Sequence, residues 1–312
     1  MGGVFLFANE GSRRAAGEFD IAKLHMLDAG FELEQAELCE NHESLDAAVK
    51  AAVAANAELV VVGGGDGTLG SVSEHFLRKD SAFGILPLGT GNQFAREIGV
   101  PNDLAGAVQV LKEGRTAMLD LGTANGQGFL TVATLGMTTE IARNLQSKQV
   151  LGKMSYLPAL VKALQSMETF HVEIIGESET ITQESIQVVV CNGRTHAGPF
   201  LASPDASITD GMFDIYALPK LDFTTMLTAG GMALTGQHVE FDEIDAMKSN
   251  RAVLKTDPKL PVVLDGEEYW FDEMVFELIP AAIKVVVDAS FRAPQNLIGR
   301  LNLQLNTSED SD

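Results

Sequence analysis

The stretch ELVVVGGGDGTLGSV, from Glu58 to Val72, joins an apolar run to three glycines and then to a segment with helical spacing. The apolar run Leu59–Val62 is typical of a buried strand. The first N–H groups of a helix are unpaired and favour an anion, and glycine lets the backbone approach that anion closely. The stretch therefore predicts a phosphate-binding loop between a strand and a helix.

Asp66 stands in this loop, although a P-loop would require Lys followed by Ser or Thr after its last glycine. A carboxylate repels a bare phosphate but attracts Mg²⁺ that is bound to a phosphate. Thr68 adds a hydroxyl donor nearby. Asp66 could instead only cap the next helix. The residues of this loop leave both interpretations open.

A second loop, in GILPLGTGNQFAREIGVP, repeats the order of strand, glycine loop and helix. Gly89, Thr90 and Asn92 offer backbone and side-chain donors, and Arg96 follows one helical turn later. Two such loops on neighbouring parallel strands would meet at the carboxyl ends of those strands. We therefore expect one phosphate crevice built from both loops.

The chain changes character near Asp120. Before it, short apolar strands alternate with helical patterns, which indicates a parallel sheet covered on both faces. After it, strands separated by short polar turns predominate, which indicates an antiparallel sandwich or barrel. The predicted fold class is therefore α/β plus all-β, with the boundary near residue 120.

Composition excludes several classes of function. The chain has 312 residues and a formal net charge of −21, so it should repel nucleic acid and gain little from anionic membranes. Two distant cysteines give no disulfide framework or zinc pattern. The amino terminus has no signal-peptide pattern, and no window is apolar enough to span a bilayer. We expect a cytoplasmic protein with a disordered acidic tail at 306–312.

At this point the motifs match a known family. GGGDGTLGSV followed by ILPLGTGNQFAREIGVP resembles the diacylglycerol kinase catalytic family, in its soluble bacterial lipid kinase branch. The blocks LDLG, LGKMSYLPAL, VCNGRTHAGPFLASPDASITDGMFDI and LDGE follow in the family's order. GGDGT also occurs in NAD kinases and sphingosine kinases, but the LGKMSYLPAL and DGE blocks disfavour NAD kinase.

The resemblance implies a Rossmann-like nucleotide domain, then a β-sandwich domain for the lipid substrate, with the active site between them. It also implies that a late segment returns to the first domain. The expected domains are therefore 1–120 with about 290–305, and 121–289.

For ATP and Mg²⁺, the resemblance implies contacts from the loops of the first domain and from one lysine of the second. The nucleotide-binding residues carried over are Asn9, Asn41, Gly64, Gly65, Asp66, Gly67, Thr68, Gly89, Thr90, Asn92, Arg96 and Lys153.

Two acidic motifs of the second half complete the implied site. The loop SPDASITDGMFD resembles a structural magnesium loop, with the Asp210 side chain and the carbonyls of Ser207 and Met212 as ligands. LDGE places a general base at Glu267, supported by Asp265, and Asp120 resembles an aspartate that faces the cleft. Either acidic motif could also be only a turn, since Asp-Gly is itself a turn signal.

The sequence departs from the family at several positions. Gln93 replaces the acid of GTGND, Gly70 replaces the usual Asn after GGDGTL, and Asn41 aligns with a threonine near the adenosine. The predicted function is an ATP- and Mg²⁺-dependent kinase that converts diacylglycerol to phosphatidic acid, transiently peripheral to the inner face of the membrane. A homodimer is possible. The alternative is a non-catalytic nucleotide or lipid sensor.

Overall fold

The structure is a computed structural model that describes residues 3–136, 168–196, 200–201, 206–220 and 244–292. Five helices are found in these ranges: α1 (Ala15–Asp28), α2 (His42–Ala54), α3 (Asp66–Ser73), α4 (Gln93–Glu97) and α5 (Leu104–Glu113). A short 3-10 helix, Glu74–Phe76, continues α3. No helix in the described ranges is long and apolar enough to cross a membrane.

The strands fall into two groups. Those of the first half are β1 (Val4–Asn9), β2 (Leu33–Cys39), β3 (Leu59–Gly64), β4 (Ala82–Pro87), β5 (Arg115–Ala124), β6 (Gln127–Phe129) and β7 (Val132–Gly136). Those of the second half are β8 (Phe170–Ile175), β9 (Thr180–Cys191), β10 (Thr195–His196), β11 (Phe200–Leu201), β12 (Phe213–Pro219), β13 (Asp245–Ser249), β14 (Arg251–Asp257), β15 (Val262–Leu264), β16 (Glu267–Tyr269) and β17 (Met274–Val287).

The first domain is a parallel sheet in the order β4-β3-β1-β2. Helices α1 and α5 pack together, as do α2 and α3, so both faces of the sheet are covered. Strands β3 and β4 are buried at every position, which explains why their sequences are continuously apolar and do not alternate. The prediction of a parallel α/β domain is confirmed.

The second domain is an antiparallel assembly around its own core. Strands β7, β8 and β12 all pair with the long strand β9, and β15 pairs with both β7 and β16. Phe129 stacks on Phe213 within this core, with ring centroids 5.7 Å apart. The predicted sandwich domain is thereby also confirmed.

Two strands join the domains. Strand β5 contains Asp120, the predicted boundary, and pairs along its length with β17. The first half of β17 packs in the second core, while Ala282–Val287 lie in the first core, where Val285 pairs with Phe83 of β4. Chain segments on both sides of residue 120 are therefore held together. The proposed return of 290–305 stays a prediction, since residues 293–312 lie outside the described ranges.

Candidate active site

The parallel sheet has its topological switch point between β1 and β3, because α1 leads from β1 to β2 on one side while β3 and β4 lie on the other. Ligands of open α/β sheets bind outside the carboxyl ends of the strands at such a point. Here those ends carry Ser12 and Thr68, whose hydroxyl oxygens are 3.3 Å apart. The Thr68 side chain also packs on Gly64, where a β-carbon would lie 2.6 Å from Cγ2 of Thr68.

The two glycine loops touch each other through their backbones. A β-carbon at Gly65 would lie 3.3 Å from the Cα of Gly89, and the Leu88 N–H donates to the Gly64 carbonyl at 3.0 Å. A β-carbon at Gly89 would lie only 2.3 Å from the Cα of Gly65, so a side chain at Gly89 would push the loops apart. The structure therefore brings the two loops together at the carboxyl ends of neighbouring strands, and their use as one phosphate crevice stays a prediction.

Asp66 links the first loop to the second. Its carboxylate accepts a hydrogen bond of 2.9 Å from the Phe94 N–H, at the start of α4. Burial raises the pKa of Asp66, while the Phe94 and Gln93 N–H groups and the Arg96 charge lower it. The Asp66 side chain thus caps a helix. That helix is α4, which follows the second loop, and not α3, in which Asp66 itself lies.

The remaining residues of the second loop differ in burial: Asn92 is buried and holds the loop in shape, whereas Thr90 and Arg96 are exposed. Asn92 is buried with a left-handed φ of 48°, and its side chain accepts from the Gly89 N–H and donates to three oxygens, those of Pro87, Gly89 and Asn102. Its amide shapes the loop, and its role in nucleotide binding stays a prediction. Thr90 and Arg96 are exposed at the crevice.

The two predicted asparagine contacts also serve their own turns. Asn9 accepts from the Gly11 N–H at 3.0 Å. Asn41 is the N-cap of α2 and forms a reciprocal capping box with Ser44. Asn9 lies at the carboxyl end of β1, which flanks the switch point, and Asn41 follows the carboxyl end of the edge strand β2. Their role in nucleotide binding stays a prediction.

Glu267 reaches this crevice from the second domain. It begins β16, just after the Asp265–Gly266 turn, and a β-carbon at Gly67 would lie 2.7 Å from its Cγ and 2.8 Å from its Oε1. The carboxylate is exposed, yet it lies directly over the first glycine loop. Tyr269, on the same face of the hairpin, has its pKa raised by burial and by the nearby charges of Glu267 and Glu74.

Asp265 lies behind Glu267 and is buried. One carboxylate oxygen accepts from the Leu130 N–H, and the other from the N–H groups of Thr131 and Val132 at 3.0 Å and from the Thr131 hydroxyl. Both oxygens are thus committed to the segment before β7. The geometry gives Asp265 the role of a clamp that shapes the hairpin, with no open face toward a substrate.

Asp120 is also turned inward. It is 3% exposed, and its two oxygens accept from the Gly211 N–H at 2.8 Å and the Ala281 N–H at 2.7 Å. Burial raises its pKa, the two N–H groups lower it, and the nearby Asp210 raises it further. Asp120 therefore fastens the loop Ser207–Met212, here called the SITDGM loop, to the point where β17 passes between the domains.

The SITDGM loop carries the predicted metal ligands. Asp210 Oδ1 accepts from the Met212 N–H at 3.1 Å, and the Ser207 carbonyl accepts from the Asp210 N–H at 3.3 Å. Burial raises the pKa of Asp210. Within the described residues, no three His, Cys, Asp or Glu side chains cluster as a metal site would require. The carbonyl and carboxylate oxygens of this loop are nevertheless the donors that a hard cation prefers.

One contact across the domains was missed from the sequence. Glu97 of α4, with an 8% exposed side chain, pairs with the Arg194 guanidinium at 3.5 Å. Burial raises the pKa of Glu97, and the charge and N–H of Arg194 lower it. Nothing in the local sequence connects these two residues, since only folding brings them together. Lys153 lies outside the described residues.

Comparisons with known proteins match both halves of the chain. The diacylglycerol kinase catalytic domain matches residues 3–124, and the YegS C-terminal NAD kinase beta sandwich-like domain matches residues 131–287. A diacylglycerol kinase of Bacillus subtilis (strain 168) is 32% identical over 70% of this chain and 74% of its own length. A Klebsiella pneumoniae (strain 342) protein named "Probable lipid kinase YegS-like" is 30% identical over 73% of this chain and 77% of its own.

A solved structure gives the same fold. It is described as a diacylglycerol kinase from Bacillus anthracis str. Sterne, covers 92% of this chain and 97% of its own, and has a TM-score of 0.74 at 24% identity. The two family matches and the curated relatives define the chain as a kinase. The chain belongs to the diacylglycerol kinase catalytic domain family of lipid kinases.

Proposed function

We propose that this protein transfers the γ-phosphoryl group of Mg²⁺–ATP to a lipid hydroxyl, with diacylglycerol as the leading acceptor and phosphatidic acid as the product. The single observation that carries the proposal is the contact between Glu267 and Gly67. It brings a carboxylate of one domain to the phosphate loop of the other, which is the arrangement that phosphoryl transfer to an alcohol requires.

The nucleotide is assigned to the crevice of the first domain. The amino end of α3 provides N–H groups after Gly65, and the Gly64–Thr68 packing keeps the Thr68 hydroxyl at the loop. Exposed Thr90 and Arg96 lie at the edge of the second loop, where phosphate oxygens would need donors and positive charge. These features support Gly64–Thr68 with Thr90 and Arg96 as the phosphate contacts.

Glu267 is assigned as the proton acceptor. The acceptor oxygen bonds to the γ-phosphorus while the bond from that phosphorus to the bridging oxygen of ADP breaks, and the hydroxyl proton passes to the Glu267 carboxylate. Since Asp265 and Asp120 have their oxygens bound by backbone N–H groups, neither is placed to accept this proton. We therefore assign both to positioning.

Mg²⁺ would neutralise charge on the phosphates. Asp66 is the carboxylate of the phosphate loop that could hold it, directly or through water. A second, structural Mg²⁺ is proposed in the SITDGM loop, at the Asp210 carboxylate and the carbonyls of Ser207 and Met212, because all three groups supply hard oxygen donors. Asp120 would then hold that loop against β17.

The acceptor is proposed to be taken from a membrane surface, on which the protein acts peripherally and from the cytoplasmic side. The charge of −21 argues against strong attraction to anionic lipid. A dimer is possible but is not needed to complete the crevice, since both of its walls come from one chain.

The test is to incubate the protein with labelled ATP and Mg²⁺ and a panel of lipids in neutral micelles: diacylglycerol, other glycerolipids, a sphingoid base and ceramide. Phosphatidic acid as the main labelled product is the expected result. A different labelled lipid would correct the acceptor. ATP binding without any labelled lipid would favour the non-catalytic sensor, for which Gln93 in place of the acid of GTGND is the motivating observation.

A further inference from the structure

One face of α3 packs against the second domain without room for side chains. Gly67 and Gly70 lie three residues apart and thus on the same side of the helix. A β-carbon at Gly67 would meet Glu267, and one at Gly70 would lie 2.8 Å from Oδ2 of Asp265. Further along, a β-carbon at Gly128 would lie 2.6 Å from the Ser73 hydroxyl oxygen. The helix therefore touches the second domain along its whole length.

Asp265 is enclosed between this helix and the segment Leu130–Val132. Its oxygens accept hydrogen bonds from that segment on one side, and the Gly70 backbone limits it on the other. Its φ of 47° lies in the left-handed region, so the hairpin turn is held in a restricted conformation. The position of this buried carboxylate therefore depends on what stands at position 70.

Glu267 follows two residues later, at the start of the next strand. Because the turn Asp265–Gly266 is short, a displacement of Asp265 away from α3 would carry Glu267 with it. A shift of about 1 Å at a reacting group can cost on the order of 10²-fold in rate. The bare backbone at Gly70 is thus one of the features that keep the Glu267 carboxylate over Gly67.

We propose that Gly70 is a positioning residue for Glu267. It acts through Asp265, whose side chain lies between α3 and the segment Leu130–Val132. The inference rests on the proposed role of Glu267 in phosphoryl transfer. At position 70, Asp265 packs directly on the helix backbone, and no side chain stands between them.

The test compares Gly70→Ala with Gly17→Ala, a helical glycine of α1 with no atoms near a new β-carbon. Gly70→Ala should lower kcat on the order of 10²-fold without changing KM for ATP. Gly17→Ala should leave kcat unchanged. In a Glu267→Gln background, Gly70→Ala should add no further loss, because coupled residues are non-additive. A wild-type kcat in Gly70→Ala, or an equal loss in both backgrounds, would overturn the proposal.

A second variant approaches Asp265 from the opposite side. Thr131→Val keeps the volume of the buried side chain but removes the hydroxyl that donates to Asp265. Thr131→Val should lower kcat in the wild-type background and add no further loss in the Glu267→Gln background. If Gly70→Ala does not fold, this variant decides: a loss of equal size in the wild-type and Glu267→Gln backgrounds would overturn the proposal.

Hydrogen exchange separates this inference from the proposed function. In Gly70→Ala the amides of Leu130–Val132 should lose protection, because displaced Asp265 no longer accepts from them, whereas Gly17→Ala should leave them protected. This readout needs no lipid. Failure of the wild-type protein to phosphorylate any lipid would refute the function alone. Unchanged protection of these amides in folded Gly70→Ala would refute the claim that Gly70 holds Asp265 in position, whatever the activity.

Discussion

The carboxylate of Asp66 and the backbone N–H of Phe94 are joined by a hydrogen bond of 2.9 Å, although 28 residues separate them. Each belongs to a different glycine loop, so the bond fixes one loop against the other. It also answers the question that Asp66 raises in the sequence. The residue is a helix cap that lies inside the proposed phosphate crevice, so a structural role and a metal–phosphate role are compatible.

Because of this hydrogen bond, two substitutions at Asp66 should have different effects. Asp66→Ala removes both the charge and the acceptor of the Phe94 N–H, and loss of a side-chain acceptor at a helix start costs about 0.5–2 kcal/mol of stability. Asp66→Asn keeps an oxygen acceptor for the Phe94 N–H and loses the charge. We expect both variants to lose Mg²⁺–ATP-dependent turnover, but only Asp66→Ala to melt well below the wild type. Calorimetry and kinase assays on the same samples check this. Wild-type turnover by Asp66→Asn would refute the metal–phosphate role.

Glu267→Gln tests the proton acceptor. The amide keeps the shape that packs on Gly67 but cannot take a proton, so kcat should fall by about 10²–10⁴-fold. ATP binding should change little, since the nucleotide is assigned to the other domain. Glu268→Gln, at the next position and exposed on the other face, is the matched control and should retain kcat. Equal loss of ATP binding and kcat in Glu267→Gln would show that the carboxylate acts in binding.

Asp210→Ala tests the metal loop. If a cation ties Asp210 to the carbonyls of Ser207 and Met212, a chelator should lower the Tm of the wild type and have less effect on the variant. The loop is held to β17 through Asp120, so the variant should lose stability more than ATP affinity. Asp214→Asn, a nearby carboxylate paired with Lys248, serves as the control. Identical chelator shifts in wild type and Asp210→Ala would argue against a cation at this loop.

Asp265→Asn tests the buried clamp through pH. Burial raises the pKa of Asp265 to about 6, the donors of Leu130, Thr131 and Val132 lower it, and the Asp66 charge raises it. A folded-state pKa above the unfolded value means that the contribution of this group to stability is fully present below about pH 4 and is lost as pH rises through about 6.

The measurable consequence is a difference between wild type and variant. As pH rises from about 4 to 7, the free energy of unfolding of the wild type should fall relative to that of Asp265→Asn by about 3 kcal/mol, and then stay level. The titrating groups near this site, Asp66, Glu267 and Tyr269, are present in both proteins, so only their coupling to the Asp265 charge differs between wild type and variant. Urea unfolding at a series of pH values checks this. A constant difference would mean that Asp265 has an ordinary pKa.

The sequence by itself determined the fold class, an α/β half followed by an antiparallel half, and it predicted that the two glycine loops meet at neighbouring strand ends. Apolar runs that end in glycines, as at Gly64 and Gly89, identify buried parallel strands that open into helices, because only such strands are continuously apolar and only glycine permits the close approach of the two loops. The resemblance to the lipid kinase family implies that the motifs GGGDGT and DGE share one site, and the fold brings Glu267 of the second motif over Gly67 of the first.

Only the tertiary structure decided what each carboxylate does. The sequence offers four acids as candidates for the site: Asp66, Asp120, Asp265 and Glu267. In the fold, the N–H groups of Phe94, Gly211 and Leu130 occupy three of them, and Glu267 alone of the four is exposed, over Gly67. The ion pair of Glu97 with Arg194 has the same origin. A carboxylate's role depends on which donors surround it and how deeply it is buried, and those neighbours come from distant segments that only folding brings together.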